Sequence, residues 1–383
     1  MKKIMLCLFA LTCMADINAQ EAAVKNEIKY RRSSLYTMII DYSNAPFRTP
    51  IKEYGSIIKS SFETSPHPDK FNNHNLQVRT IPVARSKNQK KNITAFLETN
   101  NIARDLVAKW FNRSDKGGFD MELVKSRGNY DASVLDVMTA KASKRGTDML
   151  ADAGEGLINK TFLLVSDHQF YSKEHSAETM LVFGRGFMVR TTVHLYQLDW
   201  NEEVAAYFYN NLWADDSSIT PEKKAAFDNT DIFTLKYIGT DVTLINEGSQ
   251  RSLFKKIKKD QFIKYATVKA TDEVIVKLQK KHDQFKTKSP LFTGDPITAK
   301  IGLKEGVSEQ STFDVLEQQI DADGIIKYTI IGSVKVDDNY PIWDNRYGAT
   351  EAYPDSNAGT THFTKISGPE FHTGMLIVQK KGK

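Results

Sequence analysis

Both cysteines of the chain, Cys7 and Cys13, lie within its first nineteen residues. There Lys2 and Lys3 precede an apolar run from Ile4 to Ala15, and Ala19 closes a small-residue cleavage site before Gln20. The segment reads as a secretory leader, cut near Ala19. The exported chain would then have no disulfide, no thiolate metal site and no cysteine nucleophile, although it works in an oxidising compartment. Whatever it folds into must be held by core burial alone. Roughly 364 residues remain, enough for two or three domains with proper cores. Thr12 stands where a lipid-attachment signal wants a small residue before Cys13, which favours simple export to the periplasm or an outer-membrane association over a lipid anchor.

The remaining chain has an ordinary globular composition, 40% hydrophobic and 26% charged, and no later apolar run approaches a bilayer-spanning length. Its net charge of +5 is local, because Arg251 to Lys288 carries twelve Lys or Arg against four Asp or Glu. That surplus of eight exceeds the surplus of the whole chain. The rest is slightly acidic, so no nucleic-acid partner is expected.

Hydrophobic periodicity predicts an alternating α/β order in the first part. Strands are expected at 34–40 and 76–81, with a polar loop from Glu63 to Asn75 between them. Ile102, Leu106, Val107, Trp110 and Phe111 make one helical stripe over 99–111. A strand at 119–124, a long helix from Ala132 to Ile158 and a buried strand at 161–165 follow. From Glu178 the pattern becomes antiparallel, with a hairpin at Gly184-Arg185-Gly186 and strands at 187–200 and 232–238. Helical stretches at 201–212 and 221–227 lie between the last two strands, the second starting at Thr220-Pro221.

The basic stretch from Arg251 to Lys288 reads mostly as helix, although Val274-Ile275-Val276 weakens it. Lys288-Ser289-Pro290 marks a boundary, after which strands at 297–301, 313–318, 325–331, 334–336 and 375–378 suggest a compact antiparallel barrel. Asp321 to Gly324 is expected to be a turn. The chain is thus read as a leader (1–19), an α/β layered domain with an antiparallel extension (20–288) and a small barrel (289–383).

Two runs carry a resemblance. Ile301-Gly302-Leu303-Lys304-Glu305-Gly306-Val307, Phe313-Asp314-Val315-Leu316 and Ile331-Gly332-Ser333-Val334-Lys335-Val336 resemble the small SH3-like β-barrels of bacterial envelope proteins. Ile102 to Val165 is similar to the α/β domain of the curli-secretion and flagellar-ring assembly families, with Phe119 to Arg127 and Thr161 to Val165 in the corresponding strand positions. Flagellar-ring assembly proteins carry both modules in this order. The resemblance implies an α+β, α/β architecture ending in an SH3-like barrel, envelope-protein partners and no catalytic residues.

The residues themselves nominate three surfaces. Trp343, Asp344, Arg346 and Tyr347 cluster residue types that anchor protein interfaces. Lys255, Lys256, Lys258 and Lys259 can meet an anionic membrane surface or an acidic protein. Asp167, His168, Glu174 and His175 bring imidazoles and carboxylates into one short segment, expected to be a loop after a buried strand, and offer a divalent-metal site for a hydrolase. No Gly-x-Ser-x-Gly, His-Glu-x-x-His or phosphate-loop signature is present. The leading expectation is a non-enzymatic exported scaffold without a cofactor. The metal-dependent hydrolase and the anionic-lipid binder are its alternatives.

Overall fold

The computed structural model describes residues 34–40, 51–64, 79–82, 88–131, 156–171, 188–246, 258–286, 288–320, 326–346 and 359–380. Most of the expected 63–75 loop and 132–158 helix, the 184–186 hairpin, the 321–324 turn and residues 251–257 lie outside them. Among the described residues no helix is long and apolar enough to cross a membrane.

A five-stranded mixed sheet organises the first part. Strand β1 (Ser34–Ile40) pairs in parallel with β2 (Arg79–Ile81) on one side and β3 (Thr161–Tyr171) on the other. Strands β4 (Met188–Leu198) and β5 (Leu235–Asn246) add antiparallel, giving the order β2-β1-β3-β4-β5. The antiparallel extension expected from the alternating pattern is therefore present, and β3 runs six residues beyond Val165 because β4 pairs with it as far as Tyr171↔Met188.

Side chains alternate across a strand, so each sheet face builds its own core. Tyr36, Met38, Leu163, Val165 and Tyr196 point to one face. There they are covered by the core that includes α2 (Gln89–Thr99), α3 (Ile102–Trp110) and α4 (Glu122–Asp131). Trp110, fully buried, donates from Nε1 to Thr161 Oγ1 at 2.7 Å and ties α3 to the start of β3. On the other face Ile39, Phe170 and Val189 meet α1 (Ile51–Glu63) and the first half of α7 (Lys259–Lys281), while Phe162, Leu164 and Val193 meet its second half. Val274 and Ile275 are buried in that contact, so tertiary packing overrides their weak helix preference.

Residues 119–124 do not form the expected strand. Asp120 Oδ1 accepts from the Glu122 amide at 2.9 Å and starts α4 instead, while Phe119 stacks on Trp213. The local carboxylate satisfies an orphan helix amide, which alternation of apolar residues does not reveal. Beyond β4, helix α5 (Glu202–Tyr207) runs into a π-turn (Phe208–Leu212), and α6 (Pro221–Asn229) follows. Thr220 caps α6, its Oγ1 accepting from the Lys223 amide at 3.3 Å, with Pro221 in the first turn. Thr220→Ala should cost about 1 kcal/mol in chemical denaturation.

In the last part, six antiparallel strands close into a ring ordered β10-β7-β6-β11-β8-β9. They are β6 (Lys288–Gly294), β7 (Ile297–Ala299), β8 (Thr312–Ile320), β9 (Ile326–Val336), β10 (Thr361–Ser367) and β11 (Leu376–Gln379). The interior is filled by residues such as Leu291, Phe313, Val315, Val334 and Phe363. Lys288-Ser289-Pro290, expected to mark a boundary, already belongs to β6. The two strands expected at 325–331 and 334–336 are one. Gly332 lets it continue, since a Cβ there would lie 2.3 Å from the Ser367 carbonyl oxygen of the neighbouring strand.

Candidate binding site at the helix–barrel junction

Helix α7 is buried on two sides. One stripe, including Ile263, Ala266, Ala270, Val274 and Leu278, faces the sheet. Asp272, Val276 and Gln279, spaced four and three residues apart, lie on another stripe and meet the barrel. There the chain between β7 and β8 makes a 3₁₀ turn, Leu303–Glu305, ending at Gly306. The Lys304 ammonium lies 3.7 Å from Asp272 Oδ2, and the two side chains are only 11% and 13% exposed. Gly306 has a positive φ of 77° and passes so close to α7 that a Cβ would sit 2.4 Å from Val276 Cγ1. Gln279 and Lys286 share a cavity of about 30 Å³ with Glu305, Val307 and Phe313.

The same turn carries the segment with the predicted interface residues. Glu305 Oε2 accepts from the Gly302 amide and from Asn345 Nδ2, both at 2.7 Å. Asn345 Oδ1 accepts from the Lys304 amide at 2.8 Å, and the Trp343 carbonyl accepts from the Leu303 amide at 3.0 Å. On its other side the Trp343 amide donates to Thr361 Oγ1 on β10 at 3.2 Å. Asp344 and Arg346 form a two-pronged ion pair, Nε to Oδ1 at 2.8 Å and Nη2 to Oδ2 at 2.6 Å. The hydrogen bonds from Arg346 hold the Asp344 carboxyl below its ordinary range and push the Arg346 guanidinium further up. Trp343 and Asp344 are half-buried while Arg346 is exposed. The loop is thus tied to the barrel turn and to β10, with Arg346 on its exposed side.

Of the four nominated residues, Asp344 and Arg346 pair with each other, Trp343 is held through its backbone, and Tyr347 lies outside the described residues. Sequence reading missed what holds them. Asp272 is a carboxylate on the barrel-facing side of a helix rich in lysine, and the Gly302-Leu303-Lys304-Glu305-Gly306 run contains the turn that meets it. The helical spacing of Asp272 from Val276 and Gln279 was the available signal.

The basic segment is less free than its composition suggests. Lys277 Nζ donates to the Val242 carbonyl at 2.8 Å, Lys281 pairs with Asp241 at 2.5 Å, and Lys286 pairs with Asp283 at 3.0 Å. Lys269 lies 3.9 Å from Glu273. These four cations thus face groups of the chain itself, an edge carbonyl and three acids. Lys258 is exposed just before α7, and Lys259 is its first residue. Lys255 and Lys256 lie outside the described residues.

Asp167 and His168 are not in a loop. Both are buried inside β3, and as strand neighbours their side chains point to opposite faces, so they do not converge on one ion. Asp167 Oδ2 accepts from Gln169 Nε2 at 2.8 Å. His168 Nδ1 meets Thr191 Oγ1 at 2.8 Å, and its ring lies edge-on to Phe62 of α1. The full-length pairing of β3 with β4 carries these polar residues into the interior, where His168 Nδ1 finds a threonine while His168 Nε2 is buried without a hydrogen bond. Glu174 and His175 lie outside the described residues. Among the described residues no three His, Cys, Asp or Glu side chains gather to hold a metal.

Burial lowers the His168 pKa to about 3, and burial with nearby Lys90 lowers that of His194 to about 4. Between pH 6.5 and those values the unfolded imidazoles take up protons that the folded ones refuse, so acid favours unfolding. His168→Leu should flatten the loss of stability from pH 6.5 to pH 4 in urea titrations. An unchanged slope would mean that His168 is not the buried neutral group described. Compared with known proteins, the chain matches no family model and no curated protein sequence.

Proposed function

We propose that this chain is an exported, non-enzymatic envelope protein that assembles or scaffolds other envelope proteins, with its leader removed near Ala19 and a C-terminal barrel of SH3-like kind. The observation that carries this reading is the Trp343–Arg346 loop. It offers an aromatic residue and an arginine, the types that dominate interface energetics, on a backbone already hydrogen-bonded to the barrel. Supporting the barrel assignment, the three runs that resemble SH3-like modules supply the 3₁₀ turn, β8 and β9 of the closed ring.

The test is recovery of partners from crosslinked envelopes by tagged full-length protein and by its Arg346→Glu variant. Arg346 is exposed but paired with Asp344, so an unchanged urea midpoint of the variant is required to show that losing this ion pair leaves the fold intact. A discrete partner recovered with the native chain and reduced at least tenfold with the variant is expected for an arginine anchor. No partner above background, or equal recovery with both chains, contradicts the reading.

A further inference from the structure

We propose that the contact between α7 and the barrel is an acid-tightened latch, in which Asp272, enclosed against Lys304, favours the docked barrel when its carboxyl is protonated and loosens it when ionised. The geometry supplies the parts. Asp272 belongs to the helix that covers the sheet, and Lys304 belongs to the barrel turn. The carboxyl and ammonium are both largely removed from water where they meet. If the two units part, both groups return to solvent. Docking therefore changes the proton affinity of Asp272, and the proton must in turn change docking.

Burial raises the Asp272 pKa from 3.8 to about 6, with the Lys304 ammonium pulling it down and Glu305 and Glu273 pushing it up. Those three are the charged groups acting on it from the barrel turn and from α7 itself. Lys280 lies one turn beyond Val276, its Cε 3.3 Å from where a Gly306 Cβ would be. The sign follows from the raised affinity. Stability from this group is full below the undocked pKa and is lost as pH rises through the docked one. Acid tightens the junction, and neutral solution relaxes it. Because Asn345 and Trp343 are bonded to the Gly302–Glu305 turn, the latch also governs how firmly the 342–346 loop is held. The latch stands whether or not that loop binds a partner, and its test uses none.

Amide hydrogen exchange of the full chain, scaled by the intrinsic exchange rate at each pH, reads the latch at 272–280 and 302–307. Protection there should rise about tenfold from pH 7.5 to pH 5. Asp272→Asn should remove that dependence, leaving equal protection at both pH values. A native chain with no change, or an Asp272→Asn chain that keeps it, overturns the proposal. Should Asp272→Asn fail to fold, Lys304→Met provides a second reading. Without the cation the step should move to higher pH, and an unmoved midpoint also overturns the latch. His168 and His194 act with the opposite sign, so the direction of the change separates them from Asp272.

Discussion

Gly306→Val is expected to cost about 2–6 kcal/mol, a large loss for a single change outside the hydrophobic cores. Two penalties combine at this position. A β-branched residue must adopt the left-handed backbone that Gly306 holds at φ 77°, a strain of about 1–3 kcal/mol. Its Cβ would also meet Val276 Cγ1 at 2.4 Å, and overpacking of that kind costs about 1–3 kcal/mol. Urea denaturation of the full chain measures the sum. Gly359→Ala is the control, with a positive φ of 64° but nothing within 4 Å of its Cβ, and it should lose only about 1 kcal/mol. Equal losses at the two glycines would mean that α7 and the barrel are not packed together at Val276.

Trp110→Ala should destabilise the sheet domain by about 4 kcal/mol. Trp110 is fully buried in the core on the α3 face, so truncation opens a large cavity there. It also deprives the Thr161 hydroxyl of its indole donor at the first residue of β3. Trp110→Phe keeps most of the volume and loses mainly the hydrogen bond, which should limit its cost to about 1–2 kcal/mol. Denaturant midpoints of the two variants check this ordering. A Trp110→Ala chain as stable as the Phe variant would place Trp110 outside the core.

These two sites show what the amino-acid order made legible. Trp110 was readable because Ile102, Leu106, Val107 and Trp110 repeat at helical spacing, and a long-range core follows from such a stripe. The start of β3 was readable as the continuous apolar run 161–165, and β4 and β8 as the strand runs 187–200 and 313–318. Gly306 was not, because nothing local in Gly302 to Gly306 says which distant helix it must approach. Phe119 to Val124 misled since its apolar alternation is real, yet the Asp120 carboxylate caps a helix amide and the ring of Phe119 joins Trp213. At His168 the polar side chain suggested a loop, whereas it lies in the interior, where a threonine on the next strand meets its Nδ1.

The candidate site divides in the same way. Trp343, Asp344 and Arg346 were visible as a compact cluster of anchor-type residues. Their supports, Glu305, Asn345 and the Asp272–Lys304 contact, were not, because they come from three separated stretches of the chain. The basic segment looked like a free cationic surface only while Asp241 and the Val242 carbonyl, its partners from β5, were out of view.

A photo-crosslinking residue placed at Arg346 in the full chain, in cells that make the protein, tests the scaffold reading most directly. A second chain carries the same group at Glu222, an exposed position on α6. The scaffold reading predicts discrete crosslinked species from position 346 that are missing from position 222. No crosslinks at 346, or the same species from both positions, would contradict it.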